Sequence, residues 1–142
     1  MQIDTVVGRW QGDYWWDGAD RPKVGFLLVL RRALIGKSRF SGSVRDSLEN
    51  GMPGEGQVWG KLTDGRLTFT KKMPGHYLIF PDGRLVKVNG THSLIHYEGD
   101  WFADHQEFRG RWSIDAPTYE PGDIINTGFW AARKEITVLH KS

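Results

Sequence analysis

Polar and apolar residues alternate with a period of two along most of the chain, and no segment carries a convincing helical period. In GRWQGDYWWDG (Gly8 to Gly18), Trp10, Gly12 and Tyr14 share one face of a strand, while Arg9, Gln11 and Asp13 share the other. PKVGFLLVLRR reads as a strand with both faces partly covered. SRFSGSVRDS sets Phe40, Gly42 and Val44 against Arg39, Ser41, Ser43 and Arg45. GQVWGKL aligns Val58, Gly60 and Leu62, and GRLTFTK aligns Leu67 and Phe69. HYLIF, RLVKV, HSLIHYEG, EFRGRWSI and GFWAARKEI continue the series, and LRRALIGK reads as a strand end followed by a loop.

Turn signals separate these runs: DG at 64–65 and 82–83, NG at 50–51 and 89–90, and PG at 53–54, 74–75 and 121–122. TDGRL and PDGRL have the form of tight hairpins. The chain therefore predicts an all-β fold, an antiparallel up-and-down meander of about eight to ten strands closing most easily into a barrel. Alternation alone does not separate a barrel from a sandwich. No stretch resembles a linker, so residues 1–142 are expected to form a single domain.

Eighteen glycines and 13% aromatic residues are the informative features of the composition. Glycine sits between inward neighbours at Trp10-Gly12-Tyr14, Phe40-Gly42-Val44, Val58-Gly60-Leu62, Tyr97-Gly99-Trp101 and Phe108-Gly110-Trp112. Such a glycine weakens a strand, but it lets the strand coil or leaves room for a ring from a neighbour. Nineteen basic against 17 acidic residues is too small an excess to imply nucleic-acid binding. There are no cysteines, which excludes disulfides, thiolate catalysis and cysteine-ligated zinc. MQIDTVVGRW lacks the form of a signal peptide and VGFLLVL is too short to span a bilayer, so a cytoplasmic protein without membrane association is expected.

GRW at the start of the first strand, followed by a meander, resembles the Gly-x-Trp signature of the calycin superfamily (lipocalins, fatty-acid-binding proteins and avidins). The resemblance implies a calycin-like barrel whose tryptophan, here Trp10, closes one end. It also implies a basic residue from the last strong strand, here Arg133 in GFWAARKE, packed across that tryptophan. A guanidinium on an indole face is a favourable pair. The Thr-Asp-x-x-Tyr element of lipocalins is not evident.

The search for chemistry finds no phosphate loop, no Gly-x-Ser-x-Gly elbow and no His-Glu-x-x-His. His92 and His96 share a face two pleats apart, about 13 Å along a strand, too far to chelate one metal without a bend. His105 lies near Asp104 and Glu107, while His76 and His140 signal nothing, so no metal or other cofactor is expected. Asp46, Asp100, Asp104 and Glu107 are candidate carboxylates outside any motif. Asp46 continues the inward face of Phe40, Gly42 and Val44, where a carboxylate needs a partner or an open mouth.

The same parity turns Tyr14, Lys71, Tyr97 and Gln106 inward as polar tips. Together with Phe69, Phe108, Trp112 and Phe129, and with Trp10 as a structural ring, they describe either an apolar pocket with a few polar anchors or a filled core. Trp15, Trp59 and Trp130 fall on the outer parity, where they would stack on sugars, pack under another segment, or form an interface with a second copy of the chain. The leading reading is a non-enzymatic binding protein for a small, largely apolar molecule held inside the barrel. Two alternatives stay open: a small barrel enzyme using Asp46 or Asp104 with a Tyr or His, and a carbohydrate- or protein-interaction module using the outward tryptophans.

Overall fold

A computed structural model describes residues 1–47, 51–88, 93–115 and 124–136. One helical turn, α1 (Ile3–Val6), precedes the strands β1 (Gly8–Trp16), β2 (Val24–Arg32), β3 (Arg39–Asp46), β4 (Glu55–Thr63) and β5 (Arg66–Met73). A short hairpin follows, β6 (His76–Ile79) and β7 (Leu85–Val88), then β8 (Ser93–Phe102), a 3₁₀ turn (Ala103–His105), β9 (Glu107–Ile114) and β10 (Thr127–Lys134). Eight of the strands form a closed barrel in the order β1-β10-β9-β8-β5-β4-β3-β2, every pair antiparallel. The hairpin β6–β7 is a separate two-stranded sheet outside this ladder. The meander expected from the alternation is therefore closed.

The interleaved glycines mark places where main chain or rings crowd the wall. A Cβ on Gly12 would come within 2.3 Å of the Ala131 carbonyl and 2.5 Å of the Phe26 ring. On Gly128 it would meet the Trp112 indole at 2.3 Å. Gly99 and Gly110 stand opposite each other, and the Trp130 ring lies over them, its Nε1 donating to the Glu98 carbonyl at 3.0 Å. Trp130 is therefore core, only 1% exposed, and not one of the outward rings expected above.

The register explains this correction. Trp130 pairs with inward Tyr14, so Phe129 beside it turns outward and stacks on Trp15 with ring centres 6.0 Å apart. Phe129 thus leaves the interior set, and Gly128-x-Trp130 joins the family of glycine-spaced inward aromatics.

One end of the barrel is closed by α1, which a period-based reading misses because four residues carry no period. Its Ile3 and Val6 are buried, and the Trp10 indole Nε1 donates to the Val6 carbonyl at 2.7 Å. Trp10 meets Trp101 and Phe108 edge-on and tilted, with centres 6.4 and 5.5 Å away. Arg133 does not lie across Trp10. It stands opposite Gln11 on the outer wall, 63% exposed, and pairs with Glu107 at 3.1 Å, so the sheet itself separates it from the inward indole.

The other end is covered by the β6–β7 hairpin. Asp82 and Gly83 make its turn as the PDGRL motif predicts, with Gly83 at a φ of +88° and the Arg84 amide donating to the Asp82 carboxylate. An isolated bridge between Ile79 and Ile125 and a hydrogen bond from Arg21 to the Gly83 carbonyl tie the hairpin to the barrel. Among the described residues, no helix is long and apolar enough to cross a membrane.

Candidate functional site: a buried polar cluster beneath the hairpin

Four of the inward polar tips expected from parity converge in the covered end. Asp46 ends β3 facing inward and is buried. It accepts a hydrogen bond from the Tyr14 hydroxyl at 2.7 Å, from Lys71 Nζ at 2.8 Å and from the Met52 amide at 3.2 Å. The Lys71 and Asp46 side chains are 2% and 0% exposed, so the ion pair is sealed from water. The Lys71 ammonium also lies over the Tyr14 ring at 4.6 Å and nearer the edge of reach over Tyr97 at 5.9 Å.

Such a pair is an expensive thing to bury. The desolvation of two ions is recovered only when geometry is good and the remaining donors and acceptors are engaged. Asp46 meets that condition with three donors. Lys71 does not: of its three N–H groups, one reaches a hydrogen-bond acceptor among the described residues.

Phe69, Tyr97 and Trp112 complete the cluster, as the parity reading expects. Phe69 stacks flat on Tyr97 with centres 4.7 Å apart, and Trp112 meets Tyr14 edge-on at 6.2 Å. Tyr97 is 4% exposed, and its ring also meets Trp130 edge-on with centres 5.7 Å apart. Burial pushes both phenols well above their ordinary value, with the Asp46 charge adding to the effect at Tyr14 and at Tyr97. Both therefore remain neutral hydroxyl donors throughout the physiological range.

Between this cluster and the hairpin lies a void bounded by Trp16, Met52, Tyr77, Ile79, Leu85 and Ile95, with Tyr14, Tyr97, Trp112 and Ile114. It measures about 10 Å³, the lower limit for a single water. Side chains thus fill this end with the hairpin down. The enclosing wall is apolar, and its polar atoms come from the tyrosines.

Two expected members lie elsewhere. Gln106 is not inward: it caps the 3₁₀ turn with a φ of +54°, and its amide returns to the Ala103 carbonyl at 2.7 Å on the exposed rim. That left-handed residue breaks the alternation before β9 begins, so parity counted back from Phe108 fails there. Phe129 stands on the outer wall. Asp104 is exposed on the same turn, far from the cluster in sequence and register.

Among the remaining candidates, Asp100 pairs with Arg66 on the surface at 3.3 Å. Glu107 is buried against the outer wall by Arg109 and Arg133. Desolvation alone would raise its carboxyl, but hydrogen bonds from both guanidinium groups outweigh it and hold the group below the usual carboxylate range. His96 is exposed, with Nδ1 3.3 Å from the Thr70 hydroxyl and Nε2 2.7 Å from Asp115. His92 and His140 lie outside the described residues.

Sequence reasoning overlooked the cover. Trp16 shares the parity of Trp10 and Tyr14 and was legible on that ground. Met52, which serves through its backbone amide, and the hairpin residues Tyr77, Ile79 and Leu85 carried no such signal.

No family model, no curated protein and no solved structure matches this chain.

Proposed function

We propose that the chain forms one calycin-like domain, residues 1–142, that binds a small, largely apolar molecule inside the barrel without acting as an enzyme. The observation that carries this reading is the sealed Tyr14–Asp46–Lys71 network beside Tyr97, at the end of the barrel covered by a separate hairpin. A filled core has no need of a buried ion pair, since apolar residues of similar volume serve as well or better. In a binding site the ion pair fixes Tyr14, and the Tyr14 and Tyr97 hydroxyls beside the void orient a polar group on an otherwise apolar guest.

Entry requires the β6–β7 hairpin to lift, since the void is water-sized with the hairpin down. Lifting breaks the Ile79–Ile125 bridge and the Arg21–Gly83 hydrogen bond but no rung of the barrel ladder. The guest then replaces the apolar contacts of Tyr77, Ile79 and Leu85 with its own, at about 25 cal/mol per Å² of apolar surface removed from water. Calycin-like membership draws support from the closed eight-stranded meander and from Trp10 holding the N-terminal turn, although Arg133 departs from that family's pattern.

Catalysis is the weaker reading. Asp46 is already engaged by three donors, and both phenols are held in the neutral form, so no free base faces the void.

Native mass spectrometry of protein purified from its own source tests the proposal. The expected result is a retained small molecule that Tyr97→Phe holds less tightly. A bare chain, combined with unmoved Tyr14 and Tyr97 resonances during titration with apolar carboxylic acids, aldehydes and ketones, would overturn it.

A further inference from the structure

The outer wall carries a second concavity, to which Phe69, Tyr97 and Trp112 of the wall strands also contribute. It has a volume of about 500 Å³ and crosses the strands from β3 to β10. Its floor follows one row of the ladder, in which Trp59, Thr70, His96, Ser113 and Thr127 are successive cross-strand partners. At the usual spacing between strands this row is about 19 Å long, so the concavity is a channel and not a point site. Short hydroxyl side chains form the bottom. Longer ones, Arg39, Lys61, Glu98 and Arg111, rise along the neighbouring row.

The two outward tryptophans differ in a way that identifies the working end. Trp15 is covered: Phe129 stacks on it and Lys23 lies 4.1 Å from its ring centre. Trp59 is 43% exposed and has no ring or cation partner among the described residues. Its indole face is a free platform of the kind on which the apolar face of a flat ring can lie.

Charge is equally uneven along the channel. Arg111 pairs with Asp17 at 3.1 Å, His96 with Asp115 at 2.7 Å, and Glu98 with Arg66 at 2.9 Å. Arg39 and Lys61, which are cross-strand partners, have no carboxylate partner among the described residues. They flank Trp59, because Lys61 and Trp59 are two residues apart on one face of β4. The channel thus joins a bare aromatic platform to two unneutralised cations and a row of hydroxyls.

We propose that this channel is a second binding site, taking an acidic saccharide chain. A sugar ring lies on Trp59, its carboxylate sits between Arg39 and Lys61, and neighbouring hydroxyls exchange hydrogen bonds with Thr70, Ser113 and Thr127. A single-stranded nucleic acid fits less well. It would need stacking platforms in series along a basic groove, whereas Trp59 stands alone and only Arg39 and Lys61 lack a carboxylate partner among the described residues. This inference does not rest on the barrel-interior reading, since no residue of the Tyr14–Asp46–Lys71 network enters it.

The experiment follows the seven indole N–H resonances of the full chain, with Trp59 assigned from Trp59→Phe. The probes are oligogalacturonate, oligomannuronate and a hyaluronan tetrasaccharide, with cellotetraose and an oligothymidylate as comparators. The expected result is a saturable, salt-sensitive shift of Trp59 and of the Thr70, Ser113 and Thr127 amides with at least one acidic saccharide. Trp59→Ala removes binding, and Arg39→Gln with Lys61→Gln weakens it about tenfold or more, the scale of losing charge-assisted contacts. No Trp59 shift with any acidic saccharide at millimolar concentration overturns the proposal, as does equal or tighter binding of the oligothymidylate or of cellotetraose.

Discussion

The two ends of the barrel solve the same problem of closure with opposite materials. At the α1 end, Ile3, Val6, Trp10 and Phe108 are buried together, and the indole of Trp10 satisfies a carbonyl of the turn above it. The charged residues there stay on the outside: Glu107 is covered on the outer wall by Arg109 and Arg133. At the hairpin end a carboxylate and an ammonium are brought inside, and the cover is a sheet that shares no rung with the barrel. An end made only to be shut has no reason to enclose a Lys–Asp pair, because apolar residues of similar volume would serve as well or better. The contrast is what supports the proposal that one end binds and the other only closes the barrel.

The sharpest way to break this comparison is to remove one ion. Lys71→Met and Asp46→Ala should each lower stability by about 3–5 kcal/mol in urea denaturation, because the survivor is left buried and uncompensated. A loss below about 1 kcal/mol would show that water reaches the pair. Removing both ions should do far less harm. Asp46→Leu combined with Lys71→Met is expected to be neutral or to stabilise by about 1–4 kcal/mol while abolishing retention of the interior guest. A double variant as unstable as either single one would make the pair structural.

Alkaline titration separates the ends without mutation. The Tyr14 and Tyr97 phenols are raised by burial and by Asp46, so their contribution is complete below the ordinary phenol value near 10 and is lost as pH climbs above it. Phenolate absorbance should show these two ionising only as the chain unfolds, and Tyr97→Phe should move the alkaline transition upward. The smallest effect belongs to the other end. Glu107 is held below the usual carboxylate range, so its contribution is present above that range and fades as pH falls through the depressed value. Glu107→Gln should flatten the acid limb of a stability profile, and an unchanged limb would remove Glu107 from the account.

Much of this was legible in the sequence. Parity placed Tyr14, Asp46, Lys71 and Tyr97 on inward faces, and the structure joins all four because the wall is closed and its strands are regular there. Parity failed where the chain departs from regularity. Gln106 takes a left-handed conformation that resets the count, and in β10 the choice between Phe129 and Trp130 as the inward ring was misread. Gly128 was the internal anchor, since it continues the rule that glycines stand beside inward rings. Arg133 was placed by resemblance, and cross-strand register sends it outward. That Lys71 would be the partner of Asp46 required the register of β3 against β4 and of β4 against β5, which no single strand contains.

The connection between β5 and β8 carries one more implication. Met73 and Ser93 are direct cross-strand partners, so the whole excursion from residue 74 to residue 92 leaves and re-enters the wall at neighbouring points. A two-residue turn could join those points. Splicing it in would yield an uncapped vessel with all its staves intact, and the aperture of this protein is therefore open to redesign, by evolution or by hand, independently of the tube it guards.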